Sequence, residues 1–229
     1  MTEFNGFPPQ LLPFLDELAA NNNRPWFAEN KARYEEAVLS PALSFVEHMA
    51  PKIDKLSPYF EAIPKRSGGS IMRVYRDTRF GNDKTPYKTN LGIQFRHRRG
   101  KDIHAPGYYL HIHRGEAFLG VGCWRPDSAA LAKIRQRIDE KPEDWLAILN
   151  SRSFKRQFEW GGDTLKRPPR GYCAEHPLIR SLKQKDFIVI KPLLDSAIED
   201  DDFAKATLKS FRAARPLMQF LCQALELGF

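Results

Sequence analysis

The sequence predicts an α+β protein with a central, mostly antiparallel sheet and helices from both chain ends packed on it. Two observations favour this class. Helical periodicity fills residues 8–60 and 199–227, whereas β-branched and aromatic strand patterns cluster in residues 68–124. A third observation excludes an α/β fold with a parallel sheet, because the strands and helices do not alternate regularly along the chain. Helices, a basic loop and one late strand are expected in residues 126–192.

Two amphipathic helices are expected near the N-terminus, followed by a third. "QLLPFLDELAA" forms the first, and the asparagines of 21–23 end it. "NRPWFAENKARYEEAVLSP" forms the second, with Asn23 as the N-cap and Pro25 in its first turn. "ALSFVEHMAPKIDKLSPYF" forms the third, which we expect to bend at Pro51.

Strand patterns begin after Gly68. We expect strands at "SIMRVYR" and "NLGIQFRHR", and a hairpin at "GYYLHIHRGEAFLGVGCW" that turns at Arg114–Gly115. Gly120 and Gly122 within the hairpin indicate a bulge or a close approach of another backbone.

The second half of the chain returns to helical patterns. Asp127 or Ser128 can cap a helix that breaks at Pro142, and an irregular loop follows at 151–176. "HPLIRSLKQKDFIVIKPL" predicts a short helix and a strand, and the last segment predicts one long helix kinked at Pro216.

Composition indicates a globular protein with a real core. Of 229 residues, 42% are hydrophobic and 28% charged. No apolar run approaches the ~20 residues needed to span a bilayer, and the N-terminus lacks a signal-peptide pattern. The three cysteines, Cys123, Cys173 and Cys222, are far apart and odd in number, which is typical of reduced thiols. We therefore expect one domain over residues 1–229, in the cytoplasm and without a membrane partner; the oligomeric state stays open.

The positive charge is concentrated in two segments. The chain carries a net +8, yet residues 64–101 hold eleven Lys/Arg against two acidic residues and residues 152–185 hold nine against three. The remainder of the chain is therefore net acidic. If the fold brings the two segments together, they form one strongly positive surface.

The first candidate site lies in residues 73–88. Guanidinium groups bind phosphate in a bidentate manner and lysine adds a movable charge, so this composition predicts an anion site. Its aspartates can hold the arginines or act as acid–base groups, and on the second interpretation they are catalytic. The alternative is a purely structural salt-bridge network. The residues concerned are Arg73, Arg76, Asp77, Arg79, Asp83, Lys84, Tyr87 and Lys88.

The second candidate is the loop "LKRPPRGYCAEHP". Lys166, Arg167 and Arg170 lie in a stretch stiffened by prolines, and His176 can titrate near neutral pH, which makes it a further catalytic candidate. The alternative is a solvated basic loop.

A histidine pair and an aromatic stripe are the two remaining candidate patterns. His111 and His113 share one face of a strand and could bind a transition metal with a third ligand such as His97, His104 or Glu116. A polar sheet face is the simpler interpretation, and we predict no metal and no cofactor. Trp26, Phe27 and Tyr34 have helical spacing and are expected in the core.

Several motifs resemble one family. "NNRPWFAENKARYEEAVLSP", "RVYRDTRFGNDKTPYKTNLGIQF", "GYYLHI", "GVGCWRPD", "IRQRID" and "LKRPPRGYCAEHPLIRSLKQKDF" occur in the order of an uncharacterised family catalogued as domain of unknown function 2461. The resemblance covers nearly the whole chain and implies one intact domain, but no reaction or cofactor.

Binding of a phosphate-bearing or other anionic ligand is the function that these features favour. The ligand could be a nucleotide, a phosphorylated metabolite or a nucleic acid, held in a cleft formed by residues 73–88 and 166–176. Two alternatives stay open: an enzyme acting on a phosphorylated substrate at that site, and a structural or interaction protein. The chain has no GxGxxG and no P-loop motif to narrow the choice.

Overall fold

A six-stranded antiparallel sheet forms the centre of the described structure. The computed structural model describes residues 3–79, 82–99 and 105–229. The sheet order is β1-β2-β3-β4-β6-β5, and all neighbouring strands are antiparallel. The strands are β1 (Phe60–Glu61), β2 (Leu91–His97), β3 (Gly107–Ile112), β4 (Phe118–Cys123), β5 (Glu159–Trp160) and β6 (Phe187–Pro192).

Helices precede and follow the sheet in the chain. A π-helical turn at Glu35–Leu39 and a 3-10 turn at Asp195–Ile198 supplement the α-helices. The α-helices are α1 (Leu11–Ala20), α2 (Arg24–Glu29), α3 (Lys31–Tyr34), α4 (Ser40–Leu56), α5 (Ser128–Glu140), α6 (Pro142–Asn150), α7 (Arg152–Lys155), α8 (Ile179–Leu182), α9 (Phe203–Ala213) and α10 (Arg215–Ala224).

Asparagine side chains set both ends of α2. Asn23 Oδ1 accepts a hydrogen bond from the Trp26 N–H at 3.0 Å, which confirms the predicted N-cap. The single helix expected through "NRPWFAENKARYEEAVLSP" is wrong, because Asn30 ends α2 by donating from Nδ2 to the Trp26 carbonyl at 2.9 Å. The expected bend at Pro51 does not interrupt α4, which runs from Ser40 to Leu56.

The sheet confirms the predicted hairpin and the late strand. β3 and β4 pair with His111 opposite Phe118, so the turn falls between them as expected. β6 inserts between β4 and β5 and pairs along the whole of β4. Asp127 caps α5 by accepting from the Ala130 N–H at 2.7 Å, and Pro142 begins α6.

The predicted strand "SIMRVYR" is not a regular strand. The edge of β2 is divided, because β1 pairs with its last residues and only Ile71 bridges to Ile93 in its middle. The chain then leaves the sheet, and Tyr75 bridges to Tyr87 within its own loop. Residues 73–79 therefore begin a projecting hairpin-like loop.

One face of the sheet packs against helices from both chain ends. Phe95 of β2 contacts Phe45 of α4 and Phe211 of α9, with ring centroids 6.3 and 6.1 Å apart. Tyr108 of β3 also contacts Phe211, at 4.7 Å. This arrangement confirms the α+β fold with helices from both ends on an antiparallel sheet.

The C-terminal helix differs from the prediction. One kinked helix was expected, but α9 ends at Ala213 and α10 begins at Arg215, with Pro216 in its first turn. Proline lacks the N–H that a continuous helix would need, so the break precedes it. No helix in residues 3–79, 82–99 or 105–229 combines the length and apolar character needed to cross a bilayer.

Candidate functional site

Residues 73–88 project beyond the end of the sheet at which β2 begins. The Arg76 N–H donates to the Pro86 carbonyl at 2.9 Å, and the Lys88 N–H donates to the Val74 carbonyl at 2.7 Å. These bonds join the two arms of the segment, apart from residues 80–81, which lie outside the described structure. The segment therefore has a defined shape without belonging to the sheet.

The connection between α1 and α2 holds this segment in place. Asn22 Nδ2 donates to the Tyr87 carbonyl at 2.9 Å, and the Tyr87 N–H donates to Asn22 Oδ1 at 3.0 Å. The Tyr87 ring stacks on Phe27 of α2 with centroids 4.1 Å apart. Phe27 is buried, and Trp26 and Tyr34 pack against the core, which confirms the core assignment of these aromatics.

Asp77 is held by one arginine. Arg79 Nε donates to Asp77 Oδ1 at 2.9 Å, and Arg79 Nη2 donates to Asp77 Oδ2 at 2.7 Å. The side-chain and backbone hydrogen bonds from Arg79 hold the pKa of Asp77 well below its usual range. A carboxylate in this state accepts hydrogen bonds but has no proton to donate at neutral pH.

Asp83 is held by a threonine and an arginine. The Thr85 N–H donates to Asp83 Oδ1 at 2.9 Å and the Thr85 hydroxyl donates to it at 2.8 Å, while Arg76 donates to Oδ2. The backbone bond, the hydroxyl bond and Arg76, in that order, lower the pKa of Asp83 to about 2. Both aspartates thus position arginines, as one of the two interpretations anticipated.

A groove of about 920 Å³ opens between the start of α2 and this segment. Three cations line it, Arg24, Arg76 and Lys84, and no carboxylate is among the described residues of its wall. Arg76 forms an ion pair with Asp83, whereas Lys84 donates to the neutral Thr78 carbonyl at 2.8 Å. The remaining lining residues are polar or small: Asn22, Asn23, Pro25, Ala28, Tyr75, Thr78, Thr85, Pro86 and Tyr87.

Three predicted cations lie outside that lining. Arg79 is mostly exposed and belongs to Asp77. Arg73 and Lys88 lie close enough to influence each other, and burial, followed by the charge of Arg73, lowers the pKa of Lys88. No ion pair joins Arg73 or Lys88 to an acidic residue within the described ranges.

The second basic loop lies at the opposite end of the sheet. The Leu165 N–H donates to the Lys183 carbonyl at 2.7 Å, and the Lys185 N–H donates to the Asp163 carbonyl at 2.9 Å, just before β6 begins. The first residue of β6 is opposite the last of β4, whereas the segment 73–88 adjoins the first residue of β2. Lys166, Arg167 and Arg170 therefore lie on a loop at the other end of the sheet, and none of them lines the groove beside α2, so the single cleft expected from both segments is corrected to two separate surfaces.

His176 ties the second loop to α5. Its Nδ1 accepts from the Leu178 N–H at 3.1 Å, so Nε2 carries the proton and donates to Asp139 at 3.0 Å. The Tyr172 ring contacts His176 edge-on at 5.7 Å. These contacts give His176 a positioning role in the loop.

The two candidate metal ligands have other partners. His111 Nδ1 lies 3.0 Å from the Tyr109 hydroxyl, and the ring stacks on Phe118 at 4.8 Å. Burial and the neighbouring His113 lower the pKa of His111. His113 Nδ1 donates to the Arg114 carbonyl at 3.1 Å. No group of three His, Cys, Asp or Glu suited to a metal occurs in the part of the chain that the structure describes, and His104 lies outside it.

Comparison with known proteins identifies the family. The model of the family described as "Conserved hypothetical protein (DUF2461)" matches residues 10–220. The chain belongs to this family. The match confirms the resemblance drawn from the motifs, and it spans both basic segments and the groove. No curated protein and no solved structure shows significant similarity to the chain.

Sequence reasoning missed the other wall of the groove. Arg24, Asn22 and Asn23 were assigned to a helix end and a helix start, and their contact with residues about sixty positions later leaves no local signal. The arginine that follows two asparagines at a predicted helix boundary was the one available signal for this wall.

Proposed function

We propose that this protein binds a phosphate-bearing or other anionic ligand in the groove between the start of α2 and residues 75–87. The supporting observation is the composition of the groove wall, which has three cations and no carboxylate among its described residues. Arg24 and Lys84 form no ion pair with any residue in the described ranges, so their charge is available to a ligand.

The two local aspartates support this proposal rather than oppose it. Asp77 binds Arg79 outside the groove wall, and Asp83 fixes the position of Arg76. An arginine held by a carboxylate on one side keeps further N–H donors for a ligand on the other. The Asn23 side-chain amide adds neutral N–H donors along the same wall, because its cap bond to Trp26 uses its oxygen Oδ1.

A phosphorylated small molecule or a short nucleic-acid strand fits this chemistry. The groove is open, and Tyr75, at 54% exposure, offers an aromatic surface at its edge. Stacking on such a ring is tolerant of base identity. A cytoplasmic location belongs to the same proposal, since three cysteines that are far apart in the sequence and odd in number are typical of reduced thiols.

A thermal-shift panel followed by calorimetry tests the proposal. Inorganic pyrophosphate, a nucleoside triphosphate and a short single-stranded oligonucleotide are added at low salt, and a ligand of the native state raises the melting temperature. We expect Arg24→Gln combined with Lys84→Gln to weaken binding of the active probe by about tenfold or more, since each charged hydrogen bond contributes ~1.5–3 kcal/mol.

Lys31→Gln is the matched control. Lys31 is an exposed cation on α3 and does not line the groove. Lys31→Gln removes one positive charge from the same region, as does the single variant Arg24→Gln, so equal losses from these two single variants would show only a general charge effect. That result, or a panel in which no probe shifts the melting temperature, would contradict the proposal.

A further inference from the structure

The sheet face opposite the helices contains a trough that none of the predicted site residues forms. Strand alternation directs Gly107, Gly120 and Gly122 to this face. Gly107 lies directly opposite Gly122, with Arg96 beyond it on β2 and Ile188 beyond Gly122 on β6. Because glycine has no side chain, these residues leave a depression of about 480 Å³ in the sheet surface. This volume is within the ~300–1,000 Å³ of small-molecule sites.

The fold itself requires only some of these glycines. Gly122 has φ +130°, and a Cβ there would lie 2.0 Å from the Phe187 carbonyl oxygen, so no other residue fits. A Cβ on Gly120 would meet nothing nearer than Ile188 Cδ1 at 3.5 Å, and one on Gly107 nothing nearer than Gln94 Nε2 at 3.4 Å. Neither of these two has a positive φ.

Gly107 and Gly120 therefore weaken their strands without a packing reason. Glycine inside a strand loses more conformational entropy on folding than other residues and adds no side-chain contact. The usual reason for accepting that loss is the close approach of a ligand or another backbone. Here both glycines line the floor of the trough, and a Cβ at either position would make ordinary van der Waals contacts.

Aromatic and aliphatic side chains form the walls. Tyr109, Met72 and Ile188 border the glycines, and Trp124 stands at one end with 57% of its surface exposed. Burial raises the pKa of Tyr109 to about 12, and its hydroxyl lies 3.0 Å from His111 Nδ1, so Tyr109 borders the trough as an uncharged aromatic ring. An exposed tryptophan beside a flat floor offers a stacking surface for a planar ring.

The charge of the trough is positive. Arg96 and Arg125 line it, and no carboxylate is among the described lining residues. The Arg125 guanidinium lies over Trp124 at 5.8 Å, whereas Asp186 binds the backbone N–H of Arg125 at 2.7 Å. Neither guanidinium forms an ion pair with a described residue, although Arg96 Nε donates to Gln94 at 2.9 Å.

We propose that this trough binds a planar aromatic small molecule that carries an anionic group. The ring lies on the backbone of Gly107 and Gly120 beside Tyr109 and Trp124, and the anion faces Arg96 and Arg125. The site shares no lining residue with the groove beside α2, so the two proposals stand or fall separately.

Fluorescence titration with anilinonaphthalene sulfonate tests this site, because the probe carries a planar naphthalene ring and an anionic sulfonate. Gly107→Val fills part of the trough, and its Cβ would approach the Phe95 carbonyl oxygen no closer than 3.5 Å, so we expect an unchanged or raised melting temperature and an affinity lower by about tenfold or more. Gly120→Ala is the second variant and should also lower the affinity for the probe. If Gly107→Val fails to fold, Gly120→Ala decides the question.

A charge comparison tests the role of the arginines. Arg96→Gln should lower the affinity for the anionic probe several-fold but leave the affinity for the uncharged analogue phenylnaphthylamine unchanged. Arg98→Gln is the control, because Arg98 pairs with Glu61 at 3.8 Å and does not line the trough. A wild-type protein that does not bind the probe would overturn the proposal, as would equal affinity in a folded Gly107→Val or Gly120→Ala protein.

Discussion

Asp83 illustrates how a single acidic residue supports a basic surface. Its carboxylate accepts two hydrogen bonds from Thr85 and one from Arg76, and it does so at an exposed position. At such a position the Coulomb attraction is screened by solvent, so fixed hydrogen-bond geometry matters more than charge. The aspartate therefore orients Arg76 towards the groove rather than cancelling the positive surface.

The titration of Asp83 gives the first residue-scale prediction. Its pKa of about 2 is below the ordinary 3.8, so the ionised form is favoured in the folded state. The resulting stabilisation is present above the ordinary pKa and is lost as the pH falls towards 2. Thr85→Val removes the hydroxyl donor but keeps the backbone N–H, and the pKa of Asp83 should rise part of the way to 3.8.

Carboxyl-detected NMR measures this pKa directly in both proteins. Thr89→Val is the control, because Thr89 is a nearby threonine that does not bond to Asp83. A Thr85→Val protein in which Asp83 titrates as in the wild type would show that the hydroxyl does not hold the carboxylate.

Residue types could be predicted from the sequence, but their partners could not. The cations of residues 73–88 and the two aspartates were expected to interact, and Asp77–Arg79 and Asp83–Arg76 do. Which of them face a common space depends on side-chain direction in an irregular loop. No periodicity constrains that direction, so Arg73, Arg79 and Lys88 were grouped with residues whose groove they do not line.

At the scale of elements, the α1–α2 connection determines where the groove lies. Asn22 makes a reciprocal pair of hydrogen bonds with the backbone of Tyr87, which is 5% exposed. A buried backbone N–H without an acceptor is unfavourable, so this one side chain fixes the position of the projecting segment on α2.

Removal of that side chain should destabilise the protein. Asn22→Ala leaves the Tyr87 N–H and carbonyl without their partners, and we expect a loss of about 1–3 kcal/mol in the free energy of unfolding. Asn21→Ala is the matched control, since the Asn21 side chain donates to the Glu17 carbonyl on its own helix at an exposed site. Urea unfolding measures the free energy of unfolding of both variants. Equal losses would show that the Asn22 hydrogen bonds to Tyr87 do not hold the segment in place.

Several elements with local cap or turn signals agree with the structure, whereas elements that form only through long-range pairing were not predicted. The N-cap at Asn23, the cap at Asp127 and the β3–β4 hairpin follow from local chemistry. The two-residue strands β1 and β5 have no such signal, because they exist only through pairing with β2 and β6. The break at Asn30 depends on one side-chain hydrogen bond that competes with helix propagation.

On the scale of the whole molecule, sheet order decides which basic residues can act together. β2 and β6 are separated by β3 and β4, and the two basic segments leave the sheet at opposite ends. Sequence alone predicts an antiparallel sheet but not this order, since β6 inserts between β4 and β5 through long-range pairing. The same order places Gly107 opposite Gly122 and so forms the trough on the sheet face opposite the helices.

Backbone NMR with pyrophosphate as the probe tests anion binding in the groove beside α2, because it reports the binding surface residue by residue. We predict saturable amide shifts in residues 22–28 and 75–87, with no comparable shifts in residues 163–176 at the other end of the sheet. Saturable shifts centred on residues 163–176, or shifts spread evenly over exposed lysines and arginines, would contradict the account.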